Sequence, residues 1–195
     1  MTMLHILLFY VAFFFAALVL PTVRVWRRSG INPLVLPAND SVDGFVGLWF
    51  KLLVGGLGLY LFALALGWIV PLGAITVGAA TERQAAGWAL LIASLVWVVL
   101  AQVQMGASWR IGIDTQRKTD LVASGLFRIS RNPIFLGMMV QLLGLFLLQP
   151  DAVTLLVLVC GYVLISVQIR LEEDHLRRQH GEAYAEFSTR VRRWM

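Results

Sequence analysis

The sequence predicts an all-α integral membrane protein with about five transmembrane helices. Three observations carry that prediction. Hydrophobic residues make up 59% of the 195-residue chain and charged residues only 14%, where soluble domains carry about 25% charged residues. The apolar residues are gathered into long runs. All but one of the 16 Lys and Arg residues fall on the same side of those runs, the exception being Arg83.

The spans follow in order. A hydrocarbon core of about 30 Å needs roughly 20 helical residues. Residues 3–25 form the first run, with no Lys or Arg ahead of it. A secretory leader would carry basic residues there, so a retained span is expected. Residues 45–70 form the second, long enough to tilt. The third covers 85–107, the short fourth 134–148 and the fifth 152–169. Gln149-Pro150-Asp151 reads as a tight turn joining the last two into an antiparallel hairpin. Arg24, Arg27, Arg28 and Lys51 flank the first inner loop. Arg110, Arg117, Lys118, Arg128 and Arg131 follow the third span, and Arg170, Arg177, Arg178, Arg190, Arg192 and Arg193 follow the fifth. The positive-inside rule then places the N-terminus outside and the C-terminus in the cytoplasm. The chain is expected to be one membrane domain. Residues 1–104 supply an N-terminal three-span part, and residues 105–195 a second part that carries the polar chemistry.

Several function classes lose support at this point. The net charge of +5 fits cytoplasmic loops and anionic headgroups rather than nucleic acid. Cys160 is the lone cysteine, so no internal disulfide, zinc set or redox pair is expected. Gly55-Gly56-Leu57-Gly58 loosely resembles a nucleotide-binding glycine loop. That loop follows a strand, whereas this one sits inside an apolar span, where glycines serve close helix packing. His175 and His180 share no helical face well, and solvated surface is the expectation for both.

Three segments hold candidate chemistry. Arg170-Leu171-Glu172-Glu173-Asp174 directly follows the fifth span. A helix C-terminus favours cations, so these acids sit on a helix that continues, or cationic partners hold them. Arg177 can pair with Glu173 at i,i+4, which leaves Glu172 as a boundary carboxylate with a functional reading. In Ser130-Arg131-Asn132-Pro133, proline disfavours helix at Asn132 and suits the first helical turn itself. The resulting corner is expected to present backbone N–H groups to an anion, with Arg131 adding a bidentate fork. Tyr184, Phe187, Val191 and Trp194 recur at helical spacing, which predicts an interfacial amphipathic helix.

Together these residues resemble the isoprenylcysteine carboxyl methyltransferases and the related phospholipid methyltransferases. The resemblance runs from about Met105 to Trp194. It rests on the run from Asp120 to Phe127, on Arg131-Asn132-Pro133-Ile134-Phe135-Leu136-Gly137, and on the hairpin. Glu172-Glu173, Leu176, Gly181, Tyr184 and the basic end complete it. It implies S-adenosylmethionine as cofactor, in a cytoplasmic pocket formed by the last hairpin and the C-terminal helices. Asp120, Leu121, Val122 and Phe127 would line the adenosine side. Asn132, Pro133, Ile134 and Phe135 would hold the methionine end, Gly137 would be a further cofactor contact, and Glu172 would anchor the cofactor. Arg131 and Arg170 would orient the acceptor, and Glu173 would serve as base for an amine or thiol. Gln168 and Arg170 fall where the prenylcysteine enzymes place a basic substrate contact. Asn132 stands where the family usually has His, and Phe135 where it has Tyr. Asparagine cannot titrate, so no acid–base role is expected there.

The expected reaction is methyl transfer to a lipophilic acceptor or lipid, with the membrane lipids as surroundings. Two other readings stay open: a sterol-reductase-like enzyme using NADPH, and a non-catalytic lipid-binding protein of the same fold.

Overall fold

The computed structural model describes residues 3–30, 32–35, 40–113 and 118–195. Arg117, counted above among the basic residues, lies outside the described residues. The described residues are helical and connecting segments, with no strand beyond isolated bridges at Leu34–Ile111 and Ala74–Asp151.

The first run is one rod: α1 (Met3–Phe14), a π-helical turn (Phe15–Val19) and α2 (Leu20–Ser29), ended by Gly30 at φ 67°. α3 (Val42–Ala65) is capped by Ser41, whose hydroxyl accepts from the Gly44 N–H at 3.1 Å. α4 (Ala80–Met105) runs into a 3-10 turn (Gly106–Ser108), and a second 3-10 turn (Gly125–Arg128) precedes α5. α5 (Pro133–Leu148), α6 (Ala152–His180) and α7 (Glu182–Arg190) complete the chain.

Four segments are long and apolar enough to cross a bilayer: Met3–Ser29, Val42–Ala65, Ala80–Ser108 and Ala152–His180. Pro133–Leu148 is apolar but shorter. At 1.5 Å per residue it reaches about 24 Å, short of a ~30 Å core. The expectation of five spans thus resolves into four full-length helices and one short one. The long helices turn large apolar side chains outward, Leu59 being 72% exposed, as lipid contact requires.

Three boundaries differ from expectation. The second span stops at Ala65 rather than at residue 70, because Gly67 turns the chain at φ 70° and Pro71 follows. The fifth does not end at residue 169 but continues unbroken to His180. Arg177, Arg178 and His180 in its last turn suit the negative helix end. The stripe Tyr184, Phe187, Val191, Trp194 is helical only in its first half. α7 ends at Arg190, Val191 is extended (φ −118°), and the tail folds back across the chain.

Helix packing is closest between α4 and α5, and glycines are the reason. A Cβ at Gly144 would lie 3.0 Å from the Gly87 carbonyl oxygen, and one at Gly87 would lie 2.8 Å from the Leu148 side chain. Small residues let backbones approach where no hydrophobic effect drives association. Of the α3 glycines, Gly58 meets Tyr10, while Gly55 and Gly56 are exposed with nothing near. An apolar core joins Ile6, Tyr10, Leu57, Leu61, Leu91, Leu145, Leu148 and Val157.

The hairpin turn is pinned at the end opposite the basic residues. Asp151 is fully buried and accepts from Tyr60 Oη at 2.6 Å, Gln149 Nε2 at 2.9 Å and the Thr154 N–H at 2.9 Å. Arg83 donates to the Leu147 carbonyl, covering the last turn of α5. A buried carboxylate is tolerable only when its acceptors are used in this way.

Candidate functional site

Two polar groupings stand at the basic end of the bundle. Glu172 is 20 residues beyond Ala152 on α6, which places it about 30 Å along that helix. Both groupings therefore sit at the depth where a ~30 Å hydrocarbon core gives way to headgroups.

The first grouping is centred on Glu173, which is only 3% exposed. Arg193 donates to it through Nη2 at 2.7 Å and through Nε at 3.1 and 3.2 Å to its two oxygens. Asn132 Nδ2 donates at 3.2 Å, and Arg131 Nε lies 3.5 Å away. The hydrogen bond to Glu173 pushes the Arg193 guanidinium above its already high ordinary value. Tyr184 is buried beside this grouping at 1% exposure. Burial first, and then the Glu173 charge, push its phenol up to about 12. Its hydroxyl has no hydrogen-bond partner among the described residues.

This geometry changes three expectations. Arg177 pairs with Asp174 at 3.4 Å and not with Glu173; the carboxylate is instead held by the C-terminal tail, whose return brings Arg193 within reach. Glu173 is a poor candidate base, because both its oxygens already accept from guanidinium N–H groups. At the corner before α5 the two N–H groups ahead of the helix are already used. Arg131 N–H donates to the Arg192 carbonyl at 3.0 Å and Asn132 N–H to Ser130 Oγ at 3.1 Å, while Asn132 Nδ2 and Ser130 Oγ donate to the Arg193 carbonyl. The carbonyls of the tail thus cover the Ser130–Asn132 side of the corner.

The second grouping is centred on Glu172, half-buried on the neighbouring face of α6. Gln168 Nε2 donates to its Oε1 at 3.0 Å. Asp43, at the start of α3, and Arg110 are the charged groups whose fields act on it. One Asp43 carboxylate oxygen is buried without a hydrogen-bond partner. Arg110 also lines a cavity of about 530 Å³ with Ser29, Asn32, Ser108, Lys118 and Asp120. That volume suits a cofactor-sized molecule.

The remaining candidates separate. Asp120 lines the cavity, its carbonyl accepting from Ser108 Oγ at 3.3 Å. Leu121 and Val122 are half-buried beyond it, and Phe127 is buried. Ile134 and Phe135 are half-buried on α5. Pro133 and Gly137 face α4 instead of a cavity. The Pro133 carbonyl accepts from Trp97 Nε1 at 2.8 Å, and a Cβ at Gly137 would strike Val98. Arg170 is exposed and donates to the Ser166 carbonyl at 2.6 Å. No group of three metal-ligating side chains occurs among the described residues.

Asp43, Arg110 and Arg193 were not among the site residues expected from sequence. Arg193 had a signal in the basic C-terminus. Asp43 had none, being one acid in the first turn of an apolar helix.

A family model described as phospholipid methyltransferase matches residues 83–183. The match begins in α4, earlier than the resemblance drawn from motifs, and includes Arg110, Glu172 and Glu173. No curated protein and no solved structure matches the chain.

Proposed function

The chain belongs to the phospholipid methyltransferase family, and from that premise we propose that it is an integral membrane enzyme that methylates a lipid-like acceptor using S-adenosylmethionine. The basic end faces the cytoplasm in this reading, as the charge distribution favours.

The observation that carries the proposal is the cavity at the basic end lined by Asn32, Arg110, Lys118 and Asp120, Arg110 being also one of the charges that act on Glu172. Its lining fits the cofactor chemically. Arg110 and Lys118 suit a carboxylate, while Asp120 and Asn32 suit hydroxyl or ammonium donors. When bound, the cofactor's sulfonium would supply an electrophilic methyl group to the acceptor.

The protein's share of the work is positioning, which can lower a barrier by about 7–11 kcal/mol. Glu172 is held by Gln168 and feels the charges of Asp43 and of Arg110, which itself lines the cavity. Glu173 acts as a positioning residue, tying Asn132, Arg131 and the tail into one wall. Arg170, exposed at headgroup depth, suits a headgroup anion better than the reacting atom. A carboxylate acceptor is already ionised at neutral pH. An amine must lose its proton, and Glu172 is better placed to take it than Glu173.

Calorimetry on the detergent-purified protein tests the reading, with S-adenosylmethionine, S-adenosylhomocysteine and NADPH as ligands. Binding of the two adenosyl compounds, and not of NADPH, is the expected result. A folded sample that binds neither adenosyl compound overturns it.

A further inference from the structure

The cavity of about 530 Å³ has two sides. Arg110, Lys118 and Asp120 belong to the family-matched segment, which begins at residue 83. Val25, Ser29, Asn32, Pro33 and Val35 come from ahead of it. This second wall is carried by α2, and the sequence interrupts the rod just where α2 begins. Pro21 has no N–H, so the Ala17 carbonyl four residues back loses the partner that an α-helix would give it. The register has already slipped there, the Leu20 N–H donating to the Phe15 carbonyl five residues back. Thr22 Oγ1 donates to the Leu18 carbonyl at 2.6 Å, a back-bond that also bends helices. Helices bend at prolines and at π-turns, and residues 15–21 hold both.

Inside a membrane an orphaned carbonyl needs a partner from the protein. α4 supplies it. The buried Gln102 donates through Nε2 to the Ala17 carbonyl at 2.7 Å. Pro21, Val25 and Ser29 then follow at steps of four, on one face of α2. α2 packs on the Gly106–Ser108 turn, which leads from α4 toward Arg110. Beyond α2 a backbone clasp closes the wall. The Val35 N–H donates to the Ile111 carbonyl at 2.8 Å, and the Ile111 N–H to the Pro33 carbonyl at 2.9 Å. The wall is thus tied twice to the matched segment, at Gln102 and next to Arg110.

We propose that Gln102 is a positioning residue of the cofactor site: its bond to the Ala17 carbonyl replaces the one Pro21 cannot make and sets α2, with Ser29 and Asn32, opposite Arg110 and Lys118. A rod interrupted at this point permits α2 more than one angle, and the bond selects one. The site is then composite, half of its wall lying outside the matched segment. The inference rests on the methyltransferase reading for the identity of the ligand, though the positioning of the wall does not.

The test uses the full chain in detergent, in a Cys160→Ala background with spin labels on Arg28→Cys and Arg178→Cys, both exposed positions. Pulsed electron spin resonance reads the distance distribution between α2 and α6. Calorimetry reads S-adenosylmethionine affinity, and thermal unfolding reads Tm. Gln102→Met keeps the side-chain length and removes the donor. It should broaden the distribution and weaken binding about tenfold, the loss expected when the competent arrangement is populated about a tenth of the time. Its Tm should fall, because a buried carbonyl is left unpaired. Gln102→Met combined with Pro21→Ala keeps the test alive should the single variant fail to fold. Residue 21 then supplies the N–H within the rod, so Tm should recover while the distribution stays unlike the parent's and binding stays weak. Recovery of all three would mean that Gln102 only satisfies a carbonyl, and would overturn the inference. An altered distribution with unchanged affinity would overturn it too. No S-adenosylmethionine binding by the labelled parent, with the distribution still broadened by Gln102→Met, removes the methyltransferase reading and supports the positioned wall. Equal binding and one narrow distribution in parent and Gln102→Met do the reverse.

Discussion

Replacing Glu173 by glutamine should separate a positioning role from cofactor contact. The substitution keeps the shape but puts an NH₂ group opposite Arg193 Nη2, which now lies 2.7 Å from a carboxylate oxygen. One donor then faces another. The Arg193 side chain is 37% exposed, so its pair with Glu173 is held to about 1 kcal/mol for solvent screening. The buried Asn132 bond adds about 1 kcal/mol, and the Arg131 contact a smaller amount. A loss of ~2–3 kcal/mol should lower Tm by about 5–10 °C for a chain of this size. The assay is thermal unfolding in detergent, with and without S-adenosylmethionine. At a hundredfold excess over Kd the ligand should add about 2.7 kcal/mol of stability. Glu173→Gln should lower the ligand-free Tm yet keep that ligand-induced rise. An unchanged ligand-free Tm with the rise abolished would refute the reasoning and make Glu173 a cofactor contact.

Glu172→Ala should weaken S-adenosylmethionine binding about tenfold or more, from loss of a hydrogen bond to a charged group, while Tm stays near that of the parent; unchanged affinity by calorimetry would remove Glu172 from the cofactor's contacts and leave it only an acceptor-side role. Asp151→Ala strands Tyr60, Gln149 and Thr154 and should cost ~3 kcal/mol. Its effect on cofactor affinity should be nil, since it lies at the far end of the hairpin, about 24 Å away along α5. Gly137→Leu drives a side chain into Val98 and Trp97 and should destabilise by ~3 kcal/mol through overpacking, read as a loss of folded protein in detergent. In a Cys160→Ala background, Glu182→Cys should resist a membrane-impermeant thiol reagent in intact cells while Thr81→Cys reacts; the opposite pattern would invert the proposed orientation.

Much of this protein was legible in its sequence, because the bilayer imposes simple demands. Apolar runs of span length become helices there, as no other open structure satisfies the backbone. That is why the four long helices and the short α5 could be placed before any coordinates, and why Gln149-Pro150-Asp151 read as a turn. The Glu172–Glu173 pair and the Asn132-Pro133 corner were also visible, as polar residues where apolar ones are the rule. Their partners were not. Whether Glu173 meets Arg177, one turn along its own helix, or Arg193, twenty residues on, depends on where the tail folds. That is decided by burial of Tyr184 and Phe187, not by local spacing. Gly137 and Pro133 lay inside a motif, yet packing against α4 claimed both. Asp43 and Arg110 come from segments far apart in the chain, and only the meeting of α3, α6 and the post-α4 segment sets their charges beside Glu172. Local sequence determined which residues were helical and which were exceptional; long-range packing decided which of the exceptions face one another.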